Sequence, residues 1–279
     1  HLSPRGSNFR REMDLGDYMK EHDIPGIEGV DTRALTKLLR SQGSMNAMLT
    51  CAQQFDVGQV LERLHAYKVR DTIQKVTRSA PEEFPAIGEE RYHVAMMDYG
   101  VKQNMIECLR HRGCHVTVFP ATTPAETVLS GGFDGVMLSN GPGDPADNVG
   151  IIAEVKKLYE SSIPLFAVCL GHQLMALATG AKTGRLPYGH RGGNHPVRDL
   201  EAKRVFITSQ NHGYMVLADS VDPAVAEVSH VNVNDGTCEG LRYKRPNCFT
   251  TQFHPEANAG PRDTEYLFNR FVASMGGDK

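Results

Sequence analysis

The sequence holds no apolar run of the roughly 18 residues that a membrane helix needs. Its opening stretch, HLSPRGSNFRREMDLGDYMK, lacks the apolar centre of a secretory signal. Neither a membrane span nor a secretory leader is expected. Positive charge is not in surplus either. Lys and Arg total 30 against 33 Asp and Glu, for a formal net charge of −3. That balance argues against nucleic acid and against an anionic membrane as partners. The six cysteines, at 51, 108, 114, 169, 238 and 248, form no CxxC pair, and the 12 histidines form no HExxH. No zinc-type ligand spacing results, so no metal is implied. A disulfide framework is not expected in a chain of this size without a secretory signal. The cysteines read as reduced thiols of a cytoplasmic protein. The phosphate-loop pattern GxxxxGK[ST] is missing as well.

What is present is ordinary globular material. The chain has 279 residues, 40% hydrophobic and 23% charged, enough to bury a sizeable core in one large or two modest domains. Residues 1–76 are mixed, short of strands and poor in independent core. DLGDYMKEH and VDTRALTKLLRSQG read as short helices. The second takes Asp31 or Thr32 as N-cap, Ala34, Leu35, Leu38 and Leu39 as apolar stripe, and Gly43 as stop. Residues 77–90, TRSAPEEFPAIGEE, combine prolines with acidic residues and read as a linker. From 91 to 279 short apolar strands alternate with helices. The fold class is therefore α/β, a doubly wound and mostly parallel sheet covered on both faces. After residue 182 the pattern turns to strands joined by turns, an antiparallel extension, closed by a helix over DTEYLFNRFVASM.

Open α/β sheets bind ligands beyond the carboxyl ends of their strands, which directs attention to the residues just after each strand. Cys169, in AVCLG, has Ala167 two before it and Gly171 two after. Small flanking residues permit a sharp strand-to-helix turn with the side chain lifted off the sheet. There the helix N-terminus favours the thiolate, and the Leu170 N–H faces any oxyanion that forms. Taken alone, a cysteine after a strand is more often a core residue. A nucleophile also needs a base and an orienting group. QFHPE offers His254 and Glu256 two apart, on one side of an extended stretch stiffened by Pro255. NGPGDP, at 140–145, places Gly141 and Gly143 where backbone can approach a ligand. SQNHGYMV ends another strand, with Asn211 and Gly213 suited to a turn; its His212 ranks below His254 as a base because no acid lies beside it. GHRGGNHP, at 189–196, reads as a glycine-rich surface or interface loop.

NGPGDP, VCLGHQ, SQNHGY and HPE, in that order, resemble a class I (triad) glutamine amidotransferase domain. GHRGGNHPV, HPEANAGPRDTEYLF and GIEGVDTRALTKLLR are similar to the small, glutamine-hydrolysing subunit of carbamoyl-phosphate synthase. The resemblance covers almost the whole chain. It implies a thioester mechanism with Cys169 as nucleophile, His254 as base and acid, Glu256 as its orienter, and the Leu170 and Gly143 N–H groups on the oxyanion. It also implies glutamine contacts at Gly141, Gly143, Leu170, Gln173, Asn211, Gly213 and Tyr214. Ammonia would pass to a large subunit that uses ATP and Mg to make carbamoyl phosphate from bicarbonate, for pyrimidine and arginine synthesis. No cofactor is implied in this chain itself. Residues 1–76 would be the remnant of the subunit's N-terminal domain, whose earlier TGYQE-like stretch and glutamine-contacting serine have no counterpart here. Two alternatives stand beside this reading: a non-catalytic docking module, and an amidotransferase serving another synthase.

Overall fold

A computed structural model describes residues 2–9, 11–258 and 260–276. The chain divides into two compact units, His1–Lys68 and Val69–Lys279. The first carries three helices, α1 (Leu15–Glu21), α2 (Thr32–Gln42) and α3 (Val57–Ala66). The Asp31 carboxylate accepts from Ala34 N at 2.9 Å, and Asp56 accepts from Gln59 N at 3.0 Å, so both longer helices begin on a side-chain cap. None of the three helices has a buried residue. The stripe expected on α2 stays open, with Leu35 and Leu38 about half exposed.

The second unit opens with α4 (Thr72–Val76) and then β1 (Glu82–Phe84). Its alternating part comprises β2 (Tyr92–Asp98), α5 (Gln103–Arg110), β3 (Cys114–Pro120), α6 (Ala125–Leu129), β4 (Gly135–Leu138), α7 (Val149–Glu160), β5 (Leu165–Val168) and α8 (Leu170–Ala178). The extension comprises β6 (Thr183–Asp199), β7 (Arg204–Val216), β8 (Ala226–Asn232), β9 (Cys238–Tyr243) and β10 (Cys248–Thr251), followed by α9 (Tyr266–Met275). One ten-stranded sheet results, in the order β1-β3-β2-β4-β5-β10-β9-β7-β6-β8, with β8 also pairing β9. The five strands from β3 to β10 run parallel. The other pairings are antiparallel.

Two apolar clusters explain the layering. On one face Met105, Ile106 and Leu109 of α5 meet Phe268 and Phe271 of α9 over β2, β3 and β5. On the other, Val128 of α6, Val155 and Leu158 of α7, and Leu174 of α8 share a cluster with Ile73 of α4. The chain goes from β2 out to β3 and then returns to place β4 on the other side of β2. This reversal opens a crevice at the carboxyl ends of the strands, where NGPGDP follows β4 and Cys169 follows β5.

Three readings need correction. The 77–90 stretch is no free linker. Its Glu82–Phe84 pairs antiparallel with β3, and Arg78 binds the buried Asp98 through both its backbone N–H and its guanidinium, at 3.0 Å each. The prolines bound a short edge strand instead of loosening the chain. GHRGGNHP is likewise no loop; it forms the middle of β6, paired with β7, and its glycines sit at register shifts. SQNHGYMV does not turn either, because it continues within β7 to Val216. In both segments glycine serves a bulged strand.

Phe166 is fully buried on β5, stacked on Phe249 and edge-on to Phe268. Phe166→Ala is expected to cost about 3–5 kcal/mol, read from urea unfolding of the whole chain.

Candidate active site

Cys169 stands between the last residue of β5 and the first turn of α8 with φ 55° and ψ −103°. Non-glycine residues rarely hold such a backbone, and it persists only where neighbours over-determine it. The neighbours here are identifiable. Cys169 N donates to Thr251 O of β10 at 2.8 Å, and Gln173 N donates back to Cys169 O at 3.2 Å. Gly171 N donates to Ser139 O at 3.1 Å, and a Cβ on Gly171 would lie 2.6 Å from Leu138 O. Gly171 thus lets α8 start directly against the end of β4. The N–H groups of Leu170, Gly141 and Gly143 donate no hydrogen bond among the described residues.

His254 comes from the turn after β10 and is tied to β7 by its N–H, which donates to Ser209 O at 2.9 Å. The expected extended HPE stretch is in fact a bridge followed by a turn. The side chains still meet: His254 Nδ1 lies 2.6 Å from Glu256 Oε1, both groups almost fully buried. The other ring nitrogen, Nε2, is buried with no partner in full hydrogen-bond geometry. Burial by itself would push the His254 pKa down. The charges of Glu256 and then Cys169, with the hydrogen bonds they offer, reverse this and hold it up at about 10. Burial pushes the Glu256 carboxyl up, but the His254 charge and hydrogen bond and the Lys102 ammonium outweigh it, so its pKa lies below the ordinary value.

The sequence reading missed Lys102 and Asn104. Lys102 Nζ lies 3.5 Å from Glu256 Oε1 and 3.3 Å from His254 Nδ1. Asn104 Nδ2 donates to the Glu256 carbonyl. Both residues lie a few positions beyond the end of β2 at Asp98, in a stretch with no motif to mark it.

The other anticipated residues are distributed around this centre. A Cβ on Gly141 would lie 2.1 Å from Tyr99 O and 2.8 Å from Leu170 Cδ2, so only glycine fits between β2 and the elbow. Gln173 is buried, and its amide donates to Tyr214 O at 2.8 Å and Gln252 Oε1 at 2.9 Å, leaving only its oxygen uncommitted. Burial, and next the nearby Asp144 carboxylate, raise the Tyr214 phenol pKa. Gly213 and Asn211 lie on β7, with Asn211 exposed and opposite Arg191. His212 is buried, with Nδ1 2.8 Å from Tyr214 O and Nε2 3.1 Å from Gln210 Oε1. Burial lowers its pKa to about 3 and keeps the ring neutral. His190, His212 and Glu239 converge with ligand atoms within 4.8 Å of one another. Their ring nitrogens are engaged within the protein, His190 with Asp235 at 2.8 Å and Glu239 at 3.2 Å. The His190–Glu239 hydrogen bond ties β6 to β9, and the His190 and His212 rings meet edge-on between β6 and β7, with centroids 4.9 Å apart.

Known proteins match both parts of the chain. Residues 95–274 match the family model for glutamine amidotransferase class-I, and residues 1–49 match that for the carbamoyl-phosphate synthase small chain, CPSase domain. The carbamoyl phosphate synthase small chain of Bacillus cereus (strain ATCC 10987 / NRS 248) is 46% identical over 269 residues, covering 96% of this chain and 72% of that protein. This chain belongs to the carbamoyl-phosphate synthase small-chain family and carries its class-I amidotransferase domain. The small chain of Listeria monocytogenes is 45% identical over 272 residues, covering 97% of this chain and 74% of that one. The amidotransferase fold recurs in a GMP synthase-type protein from Thermoplasma acidophilum, at TM-score 0.59 and 19% identity, over 67% of this chain and 95% of that one. No helix among the described residues is long and apolar enough to cross a membrane.

Two outcomes are expected of the amidotransferase site. Glu256→Gln should lower the His254 titration midpoint further than Cys169→Ala does, as read by histidine NMR. The His254 pKa is raised in the fold from 6.5 to about 10, so its stabilising contribution is complete below about 6.5 and is lost as pH rises through about 10. Gly141→Ala should destabilise the fold by roughly 1–3 kcal/mol through overpacking, as measured by urea unfolding.

Proposed function

We propose that this chain hydrolyses glutamine to glutamate and ammonia through a γ-glutamyl thioester on Cys169, and that it supplies the ammonia to a large synthetase subunit. The observation that carries the reading is a cysteine at a positive φ beside a buried histidine–glutamate pair whose free ring nitrogen is Nε2. With the thiol proton already resident on His254 as imidazolium, Cys169 Sγ attacks the side-chain amide carbon. The oxyanion is received by the unpaired N–H groups of Leu170 and Gly143. Glu256 accepts from Nδ1, which fixes the ring and favours the imidazolium form. Collapse breaks the C–N bond, and His254 returns the proton to the departing ammonia. Water then attacks the thioester with His254 as base, releasing glutamate and the thiol.

Gly141, Gly143, Leu170, Gln173, Asn211, Gly213 and Tyr214 are proposed to hold glutamine. The uncommitted Gln173 oxygen offers one acceptor to its amide or amino group. The family supports a large-subunit partner that binds ATP and Mg and makes carbamoyl phosphate from bicarbonate. It also supports a place in pyrimidine and arginine synthesis, in the cytoplasm.

The test is ammonia release from glutamine by the whole chain, with and without the large subunit. Cys169→Ser should abolish release, and an electrophilic glutamine analogue should label wild-type Cys169. Turnover retained in the Cys169→Ser protein would exclude the thioester route.

A further inference from the structure

Gln173 stands one turn along α8 from Cys169, and its N–H donates to Cys169 O at 3.2 Å. Helix residues four apart share a face, and their side chains lean toward the helix N-terminus. The Gln173 amide is therefore carried on the side of α8 where the cysteine stands. Both of its hydrogens are taken, one by Tyr214 O at 2.8 Å and one by Gln252 Oε1 at 2.9 Å. A backbone carbonyl can only accept, so Tyr214 decides which way the amide faces. One hydrogen bond still lets an amide rock about it. Two acceptors on the same nitrogen fix the amide plane, and Oε1 lies in that plane. That oxygen has no hydrogen-bond partner among the described residues, yet it is not sealed in protein.

Gln252 is itself rigidly mounted. It is fully buried, and its N–H donates to Glu239 O at 2.9 Å, extending the β9–β10 register by one residue. Thr251, just before it, accepts from Cys169 N. One short segment thus carries His254, holds the Cys169 N–H and meets the Gln173 amide. The other side of the Gln252 amide gains nothing from this arrangement. Its Nε2 is enclosed with no partner, a state that costs stability. Turning the amide over would set its NH2 against the NH2 of Gln173. The unpartnered nitrogen therefore records an amide whose orientation is dictated by Gln173.

We propose that Gln252 is a positioning residue for glutamine binding: its Oε1 takes the second hydrogen of the Gln173 amide and so holds the Gln173 oxygen in the plane where it meets the substrate. The group that an acceptor oxygen meets is an N–H donor, the α-ammonium or the side-chain amide of glutamine. This rests on the glutamine contact given to Gln173 under Proposed function. Gln252 touches no reacting atom, so its effect belongs to substrate binding more than to the chemical step. Met is similar to Gln in size and shape and loses the acceptor, and the Nε2 it also removes has no partner to lose. Glu keeps an oxygen at the Oε1 position, and the Glu239 carboxylate on the facing strand favours its protonated form, which matches the amide in shape.

The experiment measures kcat and KM for glutamine, with the large subunit present, in wild type, Gln252→Met, Gln252→Glu, Gln173→Ala and the double variant Gln252→Met with Gln173→Ala. Gln252→Met is expected to raise KM about fivefold, within the range a neutral hydrogen bond supplies, with kcat within about twofold of wild type. Gln252→Glu is expected to return KM to within about twofold of wild type. In the Gln173→Ala background, Gln252→Met should add nothing, because it acts through the side chain already removed. A wild-type KM in Gln252→Met, a fall in kcat alone, a Gln252→Glu protein as weak as Gln252→Met, or a fully additive effect in the double variant would each overturn the proposal. NMR of the Gln173 side-chain amide gives a readout that needs no turnover. One of its proton resonances should move upfield in Gln252→Met and stay in place in Gln252→Glu, and an unmoved pair in Gln252→Met overturns the hold itself. A wild-type KM in Gln173→Ala, by contrast, condemns the glutamine contact of Gln173 and the proposal with it. A raised KM there beside a wild-type KM in Gln252→Met condemns the proposal alone.

Discussion

A cysteine held at φ 55° and ψ −103° costs on the order of 1–3 kcal/mol in backbone energy, and the surrounding architecture is arranged to keep it there. β10 holds its N–H, the first turn of α8 holds its carbonyl, and Gly171 lets the helix start against the carbonyl of Leu138. Each of these contacts depends on the parallel register of β4, β5 and β10. The sheet therefore does more than bury apolar surface. Its central register fixes where one sulfur atom stands.

Electrostatics complete what the backbone begins. His254 and Glu256 are both nearly inaccessible to water, and an isolated charge in either place would be expensive. Together they stabilise each other's charged form, and Lys102 adds a cation on the carboxylate side. Neutral His212 and His172, each with a pKa lowered to about 3 chiefly by burial, lie in the same interior without competing for that proton. One buried imidazole is thus charged and its neighbours are not, and the difference lies in the carboxylate and sulfur that His254 faces.

Much of this was legible in the residues. The alternation of short apolar strands with helices specified the parallel sheet, and strand ends located the centre, because AVCLG and NGPGDP follow strands in an α/β pattern. What escaped was non-local. Lys102 and Asn104 reach the site from a segment with no motif of its own, and only the packing of the start of α5 against the turn after β10 brings them in. Glycine misled in two places. Gly189, Gly192, Gly193 and Gly213 suggested loops and turns, whereas they belong to the long, bulged β6–β7 pair. The proline- and acid-rich 77–90 stretch suggested a linker for the same kind of reason: local composition does not reveal that β3 offers a free edge beside it.

That short β1 has a consequence for the protein's behaviour in a crowded solution. An unprotected strand invites other chains to extend the sheet. At one end of this sheet stand only Glu82, Glu83 and Phe84, framed by Pro81 and Pro85, too brief, too acidic and too poor in donors to template a neighbour. At the other end β8 turns back to pair with β9, so the last four strands close into a ring. A ten-stranded sheet that would otherwise have two long sticky margins is left with almost none.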